Sequence, residues 1–462
     1  MVAQSAVACG GQLDFDFLPH VPVIVQRHEG QLTSDAGLLP IRQFDARWRY
    51  TERMAQALAG CDGRLDPDHS LASMLRQRLY GILADYEDCN DHDDLRDDPA
   101  FKLVAAGRLP DDGPLASQPT LSRFENAVTI PALHGLVDFL IATGVERLKQ
   151  KHGGRLPARL TLDLDATDDP THGRQQLSLF HGYYDQHQYL PLVISEPTTK
   201  HVFLVWLRHG TAHAALGADD DLMRVVDALR KERPDIAIHV RGDAGFGLPR
   251  MYQVCEDNGL SYTFGLATNE RIKRVAAPLL ERAVTLYEQT GVKRRLFTSF
   301  FYAAESWPHE RLVIAKAECH AGGTNVRFVV TDEPAFLGFE DAAASAGRVY
   351  DEYVRRGESE HRMDELKNGL HAGRLSCHRF RANFWRLLLH AAAYNLLDAL
   401  RDHPDVPRAL RAARPQTWRS RLIKVAAVVI QSTRRVLVRL AGQWPHWDLY
   451  HAVSTRAAAP VT

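Results

Sequence analysis

Residues 160–165 read Leu-Thr-Leu-Asp-Leu-Asp. In a strand, alternate side chains point to opposite faces, so Leu162 and Leu164 share one face and Asp163 and Asp165 the other. Carboxylates at the end of an otherwise apolar strand are costly unless paired or bound to a metal. The stretch marks a change of texture near residue 156. Further strand-like runs follow at residues 189–196 and 202–208, then a helical pattern at 219–232. A strand at 236–243, a helix near 249–258 and a strand at 261–266 complete the order β-β-β-α-β-α-β. Strands alternating with helices in this way predict a mixed sheet covered by helices, an α/β fold.

Working outward, residues 30–155 read as mainly helical. Leu71, Met74, Leu75, Leu79 and Ile82 recur close to helical spacing. The acidic stretch 85–98 lacks the glycine turn and terminal Glu of a calcium loop and reads as a solvated loop. Residues 117–127 predict a short helix with Arg123 exposed, a weak candidate for reading DNA. Residues 270–335 break the rhythm with strand-like runs at 297–304, 311–318 and 325–331, a β-rich insertion. After Glu333-Pro334 the chain returns to helix, and residues 384–400 predict a buried one.

The chain has 462 residues, 45% hydrophobic and 24% charged, as in ordinary globular proteins. No apolar run is long enough for a membrane span and no secretory leader is read, so the expected location is the cytoplasm, at the nucleoid. Six cysteines (Cys9, Cys61, Cys89, Cys255, Cys319, Cys377) form no Cys-x-x-Cys pair, which argues against a zinc cluster or disulfide framework. Net charge is -1, but from residue 371 onward 15 Arg or Lys face 4 Asp, a local 15 minus 4, or +11. So basic a region on a neutral protein suits a polyanion, although solvated helix faces account for it too. The stretch Val425–Ile430 beside Arg434, Arg435 and Arg439 predicts a helix with one packed and one basic face.

The chemistry rests on a second strand end. Residues 236–240 lead into Arg241-Gly242-Asp243-Ala244-Gly245, where Asp243 meets a glycine-flexible loop, as a metal ligand or as a turn-capping residue. Two readings compete. Asp163, Asp165 and Thr167 resemble the Asp-x-Asp-x-Thr opening of haloacid-dehalogenase-type phosphatases, but Gly245, Phe246 and Gly247 stand where a further Asp is expected. The other reading starts from residues 353–367, YVRRGESEHRMDELK. Tyr353, Arg356, Glu360 and Lys367 match the Tyr-x2-Arg-x3-Glu-x6-Lys signature of the DDE transposases of bacterial insertion sequences. Spacings of three, four and seven put all four on one face of a helix. Residues 163–194, 241–247 and 374–397 also resemble this group, specifically its 1380-type members, as does the helical front at 33–40 and 117–126.

The resemblance implies a ribonuclease-H-like mixed-sheet core at 156–269 and 336–400. It also implies a helical DNA-binding N-terminal region at 1–155, the β-rich insertion at 270–335 and a basic helical C-terminal region at 401–462. Motif for motif, it places the catalytic, metal-holding carboxylates at Asp165, Asp243 and Glu360, separated by 78 and 117 residues. Asp163 becomes a partner to the first. Tyr353, Arg356 and Lys367 are expected to hold DNA, and Trp307 to stack on a displaced base or to lie in the core. Three carboxylates suit two Mg2+ ions, or Mn2+, for in-line cleavage and joining of phosphodiesters. The implied partners are double-stranded DNA, as terminal inverted repeats and target, and a second copy of the chain. A DNA-binding protein of the same fold that does not cut is the alternative.

Overall fold

The computed structural model describes residues 12–15, 17, 21, 23–26, 30–333, 342–402 and 406–458. Cys9, Asp405 and the expected resumption of helix at 334–341 lie outside them. Eight strands form the central sheet: β1 (Arg159–Ala166), β2 (Leu192–Ser195), β3 (Val202–Trp206), β4 (Ala237–Gly242), β5 (Ser261–Leu266), β6 (Arg294–Tyr302), β7 (Arg311–His320) and β8 (Gly323–Thr331). Their order is β3-β2-β1-β4-β5-β8-β7-β6. β4 runs parallel to β1 and β5, whereas β2 and β3 are antiparallel to their neighbours. The first five strands, in the order three-two-one-four-five, make a ribonuclease-H-like core.

The helices are α1 (Leu38–Trp48), α2 (Tyr50–Leu58), α3 (Leu71–Leu83), α4 (Gln118–Asn126), α5 (Ile130–Lys151), α6 (Ala218–Glu232), α7 (Pro249–Asp257), α8 (Glu270–Thr290), α9 (Ala342–Val354), α10 (Gly357–Asp364), α11 (Phe380–Arg401) and α12 (Trp447–Ala458), with shorter turns between them. α6 shows why they form. Leu222, Val225, Val226 and Leu229 bury one face, Asp219, Asp220 and Asp221 sit in its first turn, and Arg230 and Lys231 in its last. α6 and α7 carry the chain into β4 and β5, the crossovers that parallel strands need. β3 reads Val-Phe-Leu-Val-Trp without alternation because α5 and α11 both pack on it.

One apolar core runs from Leu38 of α1 through the sheet to Ala457 of α12. Within it Glu125 of α4 lies fully buried between Arg78 of α3 and Arg386 of α11. Despite its burial, the two guanidiniums hold the Glu125 carboxyl down to about 2. Among the described residues no single helix is long and apolar enough to cross a membrane; the bent pair α4 and α5 passes a length and composition test only when joined.

The β-rich stretch begins with the 21-residue helix α8, and its three strands extend the central sheet from the β5 edge. The expected helix over 425–439 is instead a hairpin: residues 427–432 pair antiparallel with 435–440, and on the other side with residues 31–33. A short continuous apolar run such as Val425–Ile430 reads equally as strand or helix, and here the strand of residues 31–33 supplies the pairing. Part of the C-terminal charge is neutralised internally. Arg374, Arg386, Arg414, Arg419 and Lys424 meet Glu87, Glu125, Asp364, Asp85 and Asp35. The acidic stretch 85–98 is accordingly more than a solvated loop, since its first residues dock on these arginines and its His92 is fully buried.

Candidate active site

β1 and β4 are paired so that Gly242 stands opposite Leu164. One residue further along each strand come Asp243 and Asp165, at the same ends of adjacent parallel strands, a strand spacing of roughly 5 Å apart. Asp243 begins a tight turn in which the Gly245 amide donates to its Oδ1 at 2.8 Å. The turn rests on Gly265 of β5. A Cβ at Gly265 would fall 2.7 Å from the Ala244 nitrogen and 3.0 Å from the Tyr353 hydroxyl. Gly265 thus sets the seat of Asp243 and Tyr353 alike, a role the sequence signals only as a glycine within a strand.

The signature residues do not share one continuous helix. α9 ends at Val354, α10 begins at Gly357, and residues 365–369 form a π-helical turn. Tyr353 therefore closes α9, Arg356 stands at the start of α10, Glu360 lies in its first turn and Lys367 in the π turn. The break turns Arg356 inward. Its Nη1 lies 3.4 Å from Asp165 Oδ2 and its Nη2 3.4 Å from Glu360 Oε1, while its guanidinium carbon sits 5.9 Å from the centre of the Tyr353 ring. Ser359, which sequence reasoning passed over, donates its hydroxyl to Asp165 Oδ2 at 2.8 Å.

The electrostatics join the three acids. Burial pushes the Asp165 carboxyl up; Arg356 and Ser359 pull it back, and Asp243 and Glu360 add to the rise. Desolvation, not mutual repulsion of the acids, is the larger cause. Burial works to lower the Arg356 pKa, but Asp165, Tyr353, Asp243 and Glu360 together hold it above its ordinary value. One guanidinium thus lies in the field of all three acids. Asp165 is 9% exposed, whereas the Glu360 side chain is 68% exposed.

Asp163 does something different. It is fully buried, with Arg241 Nε and Nη2 at 2.7 and 3.0 Å and Arg362 Nη2 at 2.7 Å. Arg241 also donates to the Glu352 carbonyl of α9, and Arg362 to the Ser195 hydroxyl of β2. Asp163 therefore pins both signature helices to β1. A phosphatase nucleophile needs an oxygen facing substrate, and both oxygens of Asp163 are engaged by guanidiniums.

Lys367 donates to the Asp168 carbonyl at 2.5 Å and to its Oδ1 at 3.0 Å. Trp307, in the loop between β6 and β7, packs edge-on against Tyr252 at 5.2 Å and Tyr302 at 5.4 Å, with Arg311 over its ring. That is a half-buried seat against the core, the second of the two places expected for it.

Among the described residues, Asp85, Glu87 and His371 are the group of three potential ligands whose atoms all lie within 4.8 Å. Arg419 and Arg374 already occupy those carboxylates, so the cluster is an ion-pair network. Asp165, Asp243 and Glu360 stand further apart than that, with Arg356 between the first and the last where a cation would compensate charge. Their donor set, carboxylate oxygen throughout, is the chemistry of a hard divalent cation.

Among solved structures, the chain is similar to a piggyBac transposase in a synaptic complex with hairpin DNA, with a TM-score of 0.40 and 11% identity over 80% of this chain and 77% of that one. So distant a likeness carries no argument. No curated protein matches. The model of the transposase DDE domain, group 1, matches residues 16–460, nearly the whole length, and the chain therefore belongs to that family of transposases.

Proposed function

We propose that this transposase cuts DNA at the ends of an insertion sequence and joins the freed ends to target DNA, with Asp165, Asp243 and Glu360 as the catalytic carboxylates. The observation that carries the reading is Arg356. Arg356, 191 positions from Asp165 in sequence, contacts both Asp165 and Glu360, and Asp243 stands beside Asp165 at the end of the neighbouring parallel strand. The same three oxygen donors are the set we assign to divalent metal, Mg2+ or Mn2+ and two ions in the working enzyme. Bound there, the metal supplies polarisation of the phosphodiester and a water of lowered pKa.

The remaining steps fall to the chain itself. Arg356 would turn its fork to a backbone phosphate, which it can hold bidentately. Tyr353, seated on Gly265, orients that guanidinium. Lys367 holds a second phosphate after leaving Asp168. Ser359 keeps Asp165 aimed at the site. The N-terminal residues 1–155 and the exposed arginines of 401–462 are assigned to binding the element's terminal repeats, with two copies of the chain holding the two ends, and the kinship is to 1380-type elements.

The test is a strand-nicking assay on the DNA that flanks the gene, with and without Mg2+. Nicking at the inverted repeats that disappears in Asp165→Asn, Asp243→Asn and Glu360→Gln supports the reading. Tight repeat binding without nicking in any metal would favour a non-cutting DNA-binding protein.

A further inference from the structure

The chain between β1 and β2 folds into a small three-stranded sheet of its own. Residues 169–170 pair with 186–189, which pair with 179–181. Its base is fixed: Gln188 and Tyr189 are fully buried, and the Tyr189 hydroxyl donates to the Gln176 carbonyl at 2.7 Å. Its tip is apolar yet solvent-facing. Tyr183 is 85% exposed and Phe180 50%. The rings form two neighbouring groups on the hairpin of residues 179–189, Tyr183 and His181 each 5.0 Å from Tyr184, and Phe180 5.7 Å from His187. Aromatic rings held in water on a rigid base are costly without a partner.

Two neighbours identify the partner. On one side lies the carboxylate site: Gln186 of this sheet donates to Asp168 Oδ2 at 3.1 Å, three residues beyond Asp165 at the end of β1. Adjoining the sheet's base, where Gln176 accepts from Tyr189, is a surface groove of about 590 Å³ whose lining includes Arg174, His378, Arg379 and Arg381, all exposed. Arg174 and Arg381 have no carboxylate partner among the described residues, and from residue 170 to 190 the chain carries one acid, Asp185. Rings flanked by unpaired guanidiniums match a polymer of flat bases on a phosphate backbone; an aliphatic protein surface offers nothing to those charges. Rings that stack end-on to a base need it unstacked from its own neighbour, so the fit is to unpaired DNA.

We propose that Phe180, Tyr183 and Tyr184 form a stacking platform for bases left unpaired beside the phosphodiester being cut, with that strand's backbone in the Arg174–Arg381 groove. This rests on the assignment of Asp165, Asp243 and Glu360 as the cutting centre. The platform gives the enzyme a way to grip a distorted strand end that pairing no longer holds, and it tolerates any base because every base has a π face.

The test uses the full-length protein in EDTA, so that nothing is cut. Two probes are compared: a duplex with a short unpaired bulge containing 2-aminopurine, and the same duplex fully paired. The wild type is expected to bind the bulged probe roughly tenfold or more tightly and to quench its fluorescence. Phe180→Ala with Tyr183→Ala loses the preference and the quenching while binding the paired duplex as before, and Tyr183→Phe keeps both. Arg174→Ala with Arg381→Ala weakens both probes alike. A wild type that binds both probes equally, or a double alanine variant that keeps the preference, overturns the platform and leaves the cutting centre standing. A wild type that binds neither DNA overturns the proposed function itself.

Discussion

The guanidinium of Arg362 lies 2.7 Å from Asp163 Oδ2, wholly inside the protein, two residues along α10 from the exposed Glu360. Arg241 takes the other side of the same carboxylate. An acid so placed is structural, while Asp165, two residues on, is the one left facing the site.

That difference separates two variants. Asp163→Ala strands two buried arginines and is expected to lower stability by about 3–5 kcal/mol in chemical denaturation. Asp165→Ala removes a carboxyl that burial already disfavours, so its stability stays near wild type or rises, while DNA nicking is lost. Equal destabilisation by both would contradict this division of labour.

Ser359→Ala removes the hydroxyl that donates to Asp165. Because that bond favours the carboxylate, the Asp165 pKa is expected to rise further in the variant. In metal-free protein the shift is measurable by carboxyl NMR. In the nicking assay the acid limb of the pH profile moves to higher pH, because more alkali is needed to ionise Asp165. A limb that stays in place would leave Ser359 a packing residue only.

Gly265→Ala is expected to cost about 1–3 kcal/mol, because the added methyl meets backbone at Ala244 and the Tyr353 hydroxyl, not open space. Gly259→Ala, with nothing within 4 Å but a φ of +60°, serves as the contrast: strained locally and remote from the turn of Asp243. Only the first should depress nicking beyond what its lost stability explains.

Asp169 is 2% exposed, and neither carboxyl oxygen has a hydrogen-bond partner among the described residues. Burial pushes its carboxyl well above the usual range, and Lys367 only partly opposes this. The folded state therefore keeps a proton that the unfolded chain releases above about pH 4. By linkage, its contribution favours folding below that pH and is progressively lost as pH rises toward the folded pKa. Asp169→Asn should flatten this decline, so that the variant is the more stable near neutral pH but not near pH 4. Identical pH dependence of the denaturation midpoint in the two proteins would refute the assignment.

Arg434, Arg435 and Arg439 are exposed at the tip and outer strand of the C-terminal hairpin. Replacing all three by alanine is expected to weaken binding to duplex DNA and to reduce the log–log salt slope by about 0.9 for each phosphate no longer neutralised. An unchanged slope would make them solvated charge.

The sheet was legible because alternation in β1 and β4 is a local property, and so was the placement of Asp165 and Asp243 at the strand ends. The signature picked out Tyr353, Arg356, Glu360 and Lys367, but spacings of three, four and seven fit two consecutive helices as well as one. The break before Gly357, which turns Arg356 inward, left no mark in the periodicity. Ser359, Gly265 and the Asp163–Arg362 pair are tertiary facts: each depends on which element lies opposite, and no single stretch of chain records that. The hairpin at 427–440 escapes a sequence reading for the same reason, since residues 31–33 supply its third strand from the far end of the chain.

That last pairing has a kinetic side. Residues 31–33 are synthesised well before residues 427–432, and Asp35 likewise waits for Lys424. Contacts between such distant parts of a chain close slowly, because the ordering entropy precedes the reward. Residues 31–33 therefore remain an open edge until residues 427–432 have been made. A message truncated before residue 427 would yield a chain in which residues 31–33 never find that neighbour, so a broken copy of the gene is disarmed at the level of folding even when all three carboxylates are encoded.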